Sequence, residues 1–178
     1  DELLEARKDG FRYLEESGGG MWKGYFGGDW READSPATAV PADVIQQVMQ
    51  TLTTPPEDFT PHPKVELVLK SRREMAGGDK PFDWGGAEIA ALGTLVAAGT
   101  RLRFSGQDVR RGTYSHRHAA LYDVNDGHSW TGLQDLAARP EHVEIYNSPL
   151  SEIGVLGFEY GYSLDCPDGL VIWEAQFG

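Results

Sequence analysis

One cysteine, Cys166, is the whole thiol content of the 178 residues. That excludes an internal disulfide and a cysteine-ligated zinc site. Cys166 precedes Pro167 with no histidine beside it, so nothing in the pattern marks it as a nucleophile. Basic residues are also scarce: 16 Lys and Arg face 28 Asp and Glu, a formal net charge of -12. A nucleic-acid partner needs a basic face to neutralise phosphates, and an anionic membrane surface needs the same, so neither is expected. No run approaches the ~20 apolar residues of a membrane-spanning helix. The helical HExxH spacing is missing, and His116, His118 and His128 form no recognised zinc pattern, so no metal site is expected in the chain. What remains is the length for one α/β domain, alone or with an N-terminal extension.

The most informative stretch runs from Val143 to Gly161. Val143-Glu144-Ile145-Tyr146 reads as a short buried strand. Ser148 stands where a helix N-cap belongs, Pro149 suits the first helical position, and Glu152 falls in the first turn. Gly154, Gly157 and Gly161 recur at spacings of three and four and share one helical face. Each glycine costs ~0.8–1.0 kcal/mol relative to alanine in a helix, so such a face calls for a close neighbour, either backbone or a flat ligand. Leu170-Val171-Ile172-Trp173 is the next strand, which makes the unit strand, helix, strand. An acid at the strand-to-helix turn lies at the carboxyl end of a parallel sheet, where open α/β folds place ligands. A first-turn glutamate also offsets the helix dipole for ~0.3–1 kcal/mol, and Glu152 alone does not decide between these roles.

Upstream, residues 1–16 read as a charged amphipathic helix with Leu3, Leu4, Phe11 and Leu14 on one side, ended by Ser17-Gly18-Gly19-Gly20. Trp22, Tyr25, Phe26 and Trp30 crowd an irregular arm that calls for a surface to pack on. Helices are expected from Pro41 to Thr51 and from Pro63 to Ala76, stopped by Pro55-Pro56 and by Gly77-Gly78. Asp83 caps a third through Glu88, Ile89, Leu92 and Leu95 to Gly99. Leu102 to Ser105 is a strand, and Thr131 to Ala138 a short helix. The order implies a parallel sheet flanked by helices over residues 81–178, preceded by a helical and irregular arm over residues 1–80. The chain stops just after what reads as a central strand, so it is expected to be a segment of something longer.

Between strand and helix, residues 106–130 are too long for a plain connection, and loops of that length are usually functional. They carry Gln107, Asp108, Arg110, Arg111, Thr113, His116, Arg117 and His118. Clustered Arg and His at a parallel-sheet edge suit a carboxylate or phosphate, and they equally suit a solvated loop whose charges pair with each other. His62 and His142 read as surface or packing residues.

Phe104-Ser105-Gly106-Gln107-Asp108-Val109-Arg110-Arg111-Gly112-Thr113-Tyr114-Ser115-His116-Arg117-His118-Ala119 closely resembles a signature of the decarboxylating component of 2-oxoglutarate dehydrogenase complexes. So do Asn147 to Tyr162 and Leu170 to Gly178, in the same order; Asp83-Trp84 with Glu88 and the segment from Thr53 to His62 fit the same family. The resemblance covers roughly residues 20–178. It implies a transketolase-like enzyme of the tricarboxylic acid cycle that uses thiamine diphosphate and magnesium and works as a dimer. It implies a cytoplasmic location in a bacterium, or the mitochondrial matrix in a eukaryote. Its substrate would be 2-oxoglutarate and its partner the lipoyl-bearing succinyltransferase. The chain looks like the first part of the pyrimidine-binding domain with its preceding arm.

By position, the resemblance makes Glu152 the carboxyl that hydrogen-bonds the aminopyrimidine ring nitrogen. That bond favours the imino form of the exocyclic amine, which takes the thiazolium proton. Leu156, Phe158 and Gln107 are implied as cofactor contacts, with Leu156 and Phe158 equally open to a core role. Asp108, Arg117 and His118 are implied to line or support the cofactor and substrate edge. The chain departs from the family pattern in lacking a GDG-type metal motif, and the aromatic that stacks on the pyrimidine is expected just beyond Gly178. The segment alone is therefore expected to be inactive, its magnesium and diphosphate site lying elsewhere. Two alternatives stay open: another 2-oxoacid decarboxylase or carboligase on the same scaffold, and a non-catalytic interaction domain.

Overall fold

Alternation along three strands fixes the layering. In β1 (Arg101–Gly106), Leu102 and Phe104 are buried on one face while Arg103 and Ser105 lie on the other. In β4 (Val143–Asn147), Val143 and Ile145 alternate with Glu144 and Tyr146 in the same sense. In β5 (Gly169–Glu174), Leu170 and Ile172 join the apolar core face. The three pair in parallel in the order β4-β1-β5, with Gly106 in register with both Asn147 and Glu174. β1 is thus the central strand among the described residues. Among the described residues β5 lies at one end of the sheet and stays half-exposed throughout.

The computed structural model describes Glu5, Trp22, Tyr25 and residues 37–176. The helix expected over residues 1–16 and most of the aromatic arm fall outside the described residues. Trp22 and Tyr25 meet edge to face at 5.8 Å, and the Trp22 indole donates to the Leu164 carbonyl at 2.5 Å.

The apolar sheet face is covered by helices that the local chemistry starts and stops. α1 (Ala42–Thr53) begins after Pro41 and ends before Pro55-Pro56. α2 (Pro63–Gly77) has Pro63 in its first turn, is capped by His62 Nδ1, which accepts from Lys64 N, and closes at Gly78 with φ 85°. Asp83 accepts from Gly86 N at 2.7 Å and opens α3 (Trp84–Ala97). Val48, Met49 and Leu52 of α1 share one core with Ile89, Leu92 and Val96 of α3 and with the strands. The helices before residue 80 are therefore packed into the same core as those after it. The long connection after β1 holds an antiparallel hairpin, β2 (Leu121–Tyr122) and β3 (Ser129–Trp130), which its polar composition hid. Leu121 and Trp130 build a second cluster with Phe59 and Leu69. α4 (Gly132–Leu136) is shorter than expected, because a 3-10 turn at Pro140–His142 takes over before β4. α5 (Glu152–Leu164) crosses the polar sheet face between β4 and β5.

Asp123 ties the hairpin to the α1–α2 connection: its carboxylate accepts from the backbone amides of Thr60, Asn125 and Asp126. The Thr60 amide first, then that of Asn125, holds Asp123 below its ordinary 3.8. A lowered folded value means that the tie contributes fully above the ordinary carboxylate range and is lost as pH falls through the lowered value. The Thr60 amide proton resonance should therefore titrate with an apparent pKa below 3.8, and Asp123→Asn should abolish the movement; a pH-independent resonance in the unmodified chain contradicts the tie. Gly106 tests the sheet. Its φ is 138°, and an added Cβ would lie 2.0 Å from the Glu174 carbonyl oxygen. Gly106→Ala should lower the unfolding free energy by at least about 2 kcal/mol, read by chemical denaturation, and a neutral effect contradicts the β1–β5 register.

Candidate active site at the carboxyl edge of the sheet

Parallel strands bring their carboxyl ends to one edge. There the Ser148 amide donates to the Gly106 carbonyl (2.8 Å), the Gln107 amide to the Glu174 carbonyl (2.9 Å), and the Gln176 amide to Gln107 Oε1 (2.9 Å). Asn147 Oδ1 accepts from the Arg110 amide at 3.0 Å. Gln107, Asp108, Asn147, Glu152 and Gln176 are thus placed at this edge by the ladder itself. The helix begins later than expected: Ser151 is the N-cap, and Ser148 is not. Ser148 is held to β1 as an extension of the sheet, and its hydroxyl accepts from Leu150 N (3.2 Å), which leaves Pro149 in the turn. Glu152 is the first residue of α5.

The two sides of α5 differ. Glu152, Val155, Glu159 and Tyr162 recur at helical spacing on the sheet side, where Val155 and Glu159 are buried and Glu152 and Tyr162 half-buried. Gly154, Gly157 and Gly161 fall on the opposite side and are exposed. An added Cβ at Gly157 or Gly161 would meet nothing within 4 Å. The acid and the glycine stripe therefore face different surroundings.

Glu159, which sequence reasoning passed over, anchors the helix. Arg103 Nε and Nη2 donate to its two oxygens at 2.7 and 2.9 Å, and Ser105 Oγ donates at 2.7 Å. Arg103 Nη1 donates to Glu144 at 2.5 Å, and Tyr162 donates to the other Glu144 oxygen at 3.1 Å. The rings of Tyr162, Phe158 and Tyr146 lie 4.6, 5.1 and 5.4 Å from the guanidinium carbon. Burial opposes the Arg103 charge, but Glu159 and Glu144 outweigh it and hold the guanidinium above its ordinary range. The period-two alternation of Arg103 and Ser105 with Leu102 and Phe104 was the available signal for this second face. Glu152 itself has no hydrogen-bond or ion-pair partner among the described residues.

Of the other expected site residues, Leu156 and Phe158 are exposed on α5, and Phe158 covers Arg103. Gln107 bridges to Gln176, and Asp108 pairs with Arg111. Arg117 is fully buried and supports the edge from beneath: it pairs with Glu88 and with Glu174 (2.6 Å), donates to the Val109 carbonyl (2.9 Å) and lies 4.4 Å from the Phe104 ring centre. Burial lowers its pKa, and the two glutamates more than reverse that. Arg72, also buried, donates to the carbonyls of His116 and Arg117. His118 is half-buried; burial first, then the charges of Arg72 and Arg111, pushes its imidazole below its ordinary value.

Two cavities adjoin the edge and share Asn147. One, about 410 Å³, opens between β4 and α5 beside Ser148, Leu150 and Phe158. The other, about 360 Å³, lies over Asp108, Arg110 and His118. A larger groove of about 710 Å³ runs along α3 past Ala37–Val40, but no ionisable side chain lines it, so it offers no acid–base chemistry. Asp123, Asp126 and His128 cluster on the hairpin, where backbone amides occupy Asp123 and His128 Nδ1 lies 2.6 Å from Asp126. His116 and His118 belong to no such group among the described residues.

Residues 80–178 match the family described as "Transketolase, pyrimidine binding domain". Over 161 residues the chain is 44% identical to the 2-oxoglutarate dehydrogenase E1 component of Cupriavidus necator, an overlap of 88% of this chain and 17% of that protein. Over 177 residues it is 43% identical to the 2-oxoglutarate dehydrogenase E1 component of Coxiella burnetii, covering 99% of this chain and 18% of that protein. The chain thus spans less than a fifth of the length of either relative.

Two substitutions probe α5. Arg103→Met leaves the buried Glu159 without its counter-charge and should cost about 3–5 kcal/mol in chemical denaturation. Gly157→Ala meets open space and should raise stability by up to about 1 kcal/mol. Similar small effects from both would contradict the assignment of the two faces.

Proposed function

The chain belongs to the transketolase pyrimidine-binding domain family, and on that premise we propose that it is the pyrimidine-binding part of a thiamine-diphosphate-dependent 2-oxoglutarate dehydrogenase. In this reading the parent protein decarboxylates 2-oxoglutarate oxidatively and passes the succinyl group to a lipoyl-bearing partner. The observation that carries the reading is Glu152: a half-buried carboxyl with no partner among the described residues, on the first turn of the helix leaving the carboxyl edge of a parallel sheet. A carboxyl so placed fits a heterocycle that offers a ring nitrogen; the cleft between β4 and α5, which Glu152 itself does not line, has apolar walls at Leu150 and Phe158.

When bound, thiamine diphosphate supplies the electron sink for losing carbon dioxide from a 2-oxoacid. Glu152 would hold the aminopyrimidine at its ring nitrogen and keep a proton at its carboxyl for that contact. Arg103 and Glu159 keep α5 from rotating and thereby position Glu152. Gln107 and Gln176 close the edge between β1 and β5. The identities to two proteins named 2-oxoglutarate dehydrogenase E1 component support the substrate and the succinyl-transferring partner. Magnesium and the diphosphate group would be held outside this chain, so the segment alone is inactive. Ile153, Leu156, Tyr160 and Leu164 form an exposed apolar stripe beside Gly157 and Gly161, which supports a homodimeric parent. A cytoplasmic location in a bacterial host follows from the same reading.

The test is 2-oxoglutarate decarboxylation by the full-length parent with an artificial electron acceptor. Glu152→Gln should lower kcat by two or more orders of magnitude, about 2.7 kcal/mol of barrier or more, with the fold and cofactor content retained. Turnover near that of the unmodified enzyme would return Glu152 to the role of helix-dipole partner. An unmodified parent that turns over a different 2-oxoacid instead would move the substrate assignment.

A further inference from the structure

The loop between β1 and β2 holds a second polar site that the reading of Glu152 does not use. Three non-glycine residues in it have left-handed backbone: Asp108 (φ 56°), Ser115 (φ 54°) and His118 (φ 47°). Such conformations are strained and persist only where surrounding structure enforces them. Here the enforcement is visible. The Arg110 carbonyl accepts from Ala119 N, the Arg111 carbonyl from Arg117 N and His118 N, and the Asp108 carbonyl from Gly112 N. Two of the three strained residues, Asp108 and His118, line the same cavity of about 360 Å³.

Arg110 is the unusual member of that cavity. Its backbone amide is fixed by Asn147, its Nε donates to the Ile145 carbonyl at 3.0 Å, and its Nη1 donates to the Tyr122 hydroxyl at 2.9 Å. All of these acceptors are neutral. Arg103, Arg111 and Arg117 each meet a carboxylate; Arg110 and the buried Arg72 meet none among the described residues, and of these two only Arg110 lines the cavity. In a chain of net charge -12 an arginine held rigid by neutral acceptors at a cavity wall is a site built for an anion from outside. Arg111, His118 and His62 line the same space, and the local positive potential registers at His118, where Arg72 and Arg111 add to burial in disfavouring the imidazolium.

We propose that this cavity binds a small anion, a carboxylate or a phosphate, through Arg110. The site stands on its own geometry. Only the question of which anion occupies it rests on the substrate reading above: because Asn147 is shared with the cleft beside α5, the far carboxylate of a dicarboxylic 2-oxoacid is one source, and a free anionic effector is the other.

Calorimetric titration of the full-length parent, free of thiamine diphosphate, with succinate and with inorganic phosphate tests the site. At least one probe should bind, and Arg110→Gln should weaken that binding tenfold or more while circular dichroism stays unchanged. Arg110→Lys should recover part of it, and Tyr122→Phe, which removes only the prop on Nη1, should cost less than Arg110→Gln. Glu152→Gln should leave the binding intact, so failure of the catalytic assignment and failure of this site are separable. A rise in KM for 2-oxoglutarate in Arg110→Gln, with KM for the monocarboxylic 2-oxobutyrate unchanged, supports the site and identifies the substrate's far carboxylate as its occupant. An unchanged KM alongside lost probe binding supports the site and identifies an effector. Binding of neither probe, or binding insensitive to Arg110→Gln, overturns the proposal.

Discussion

The ion pair between Arg103 and Glu159 decides what the rest of the site can present. α5 buries a single apolar side chain, Val155, against the sheet. Burial of one valine contributes about 1.5–3 kcal/mol and has no directional preference. Removing one partner from a buried ion pair costs about 3–5 kcal/mol, and a bidentate guanidinium–carboxylate contact fixes rotation as well as distance. The polar sheet face therefore does what apolar packing does on the opposite face, with the added property that the helix has one allowed orientation. Glu152 lies two turns before Glu159 on the same side and inherits that orientation.

A second charged knot does the corresponding work under the edge. Arg117, with Glu88 and Glu174, joins α3 to the end of β5 and stacks on Phe104. Gly106 then lets β5 approach β1 closely enough for the Gln107 amide to reach the Glu174 carbonyl. With one knot on each face, the carboxyl edge is the end of three tied strands, and functional groups held on rigid elements keep their geometry better than groups on free loops. The loop from Asp108 to His118 is tied as well, through backbone bonds that hold strained residues in place.

Much of this was legible in the sequence where chemistry is local. Pro63, Asp83 and the proline pair after Thr54 set helix limits through fixed φ, a side-chain cap and a missing amide, each of which acts within a few residues. Leu102 and Phe104 gave β1, and Glu152 was placed at the correct end of the correct helix. Most of the misses depend on partners distant in the chain. Ser148 has good cap chemistry, but Gly106, distant in sequence, holds it to the sheet. The hairpin at Leu121 and Ser129 is too short to show a period. The stripe of Gly154, Gly157 and Gly161 was recognised as one face, and only the sheet could show that Glu152 lies on the other. Arg103 and Glu159 were passed over, because their pairing joins positions 56 residues apart.

We propose that a helix locked by Arg103 and Glu159 presents the Glu152 carboxyl to the ring nitrogen of an aminopyrimidine. Nitrogen NMR of the full-length parent loaded with thiamine diphosphate labelled at that ring nitrogen tests it most directly. The nitrogen should be strongly shielded, hydrogen-bonded or protonated, in the unmodified protein. It should return toward the free-cofactor position in Glu152→Gln and take an intermediate position in Glu159→Gln. A nitrogen resonance identical in the unmodified protein and in Glu152→Gln would contradict it.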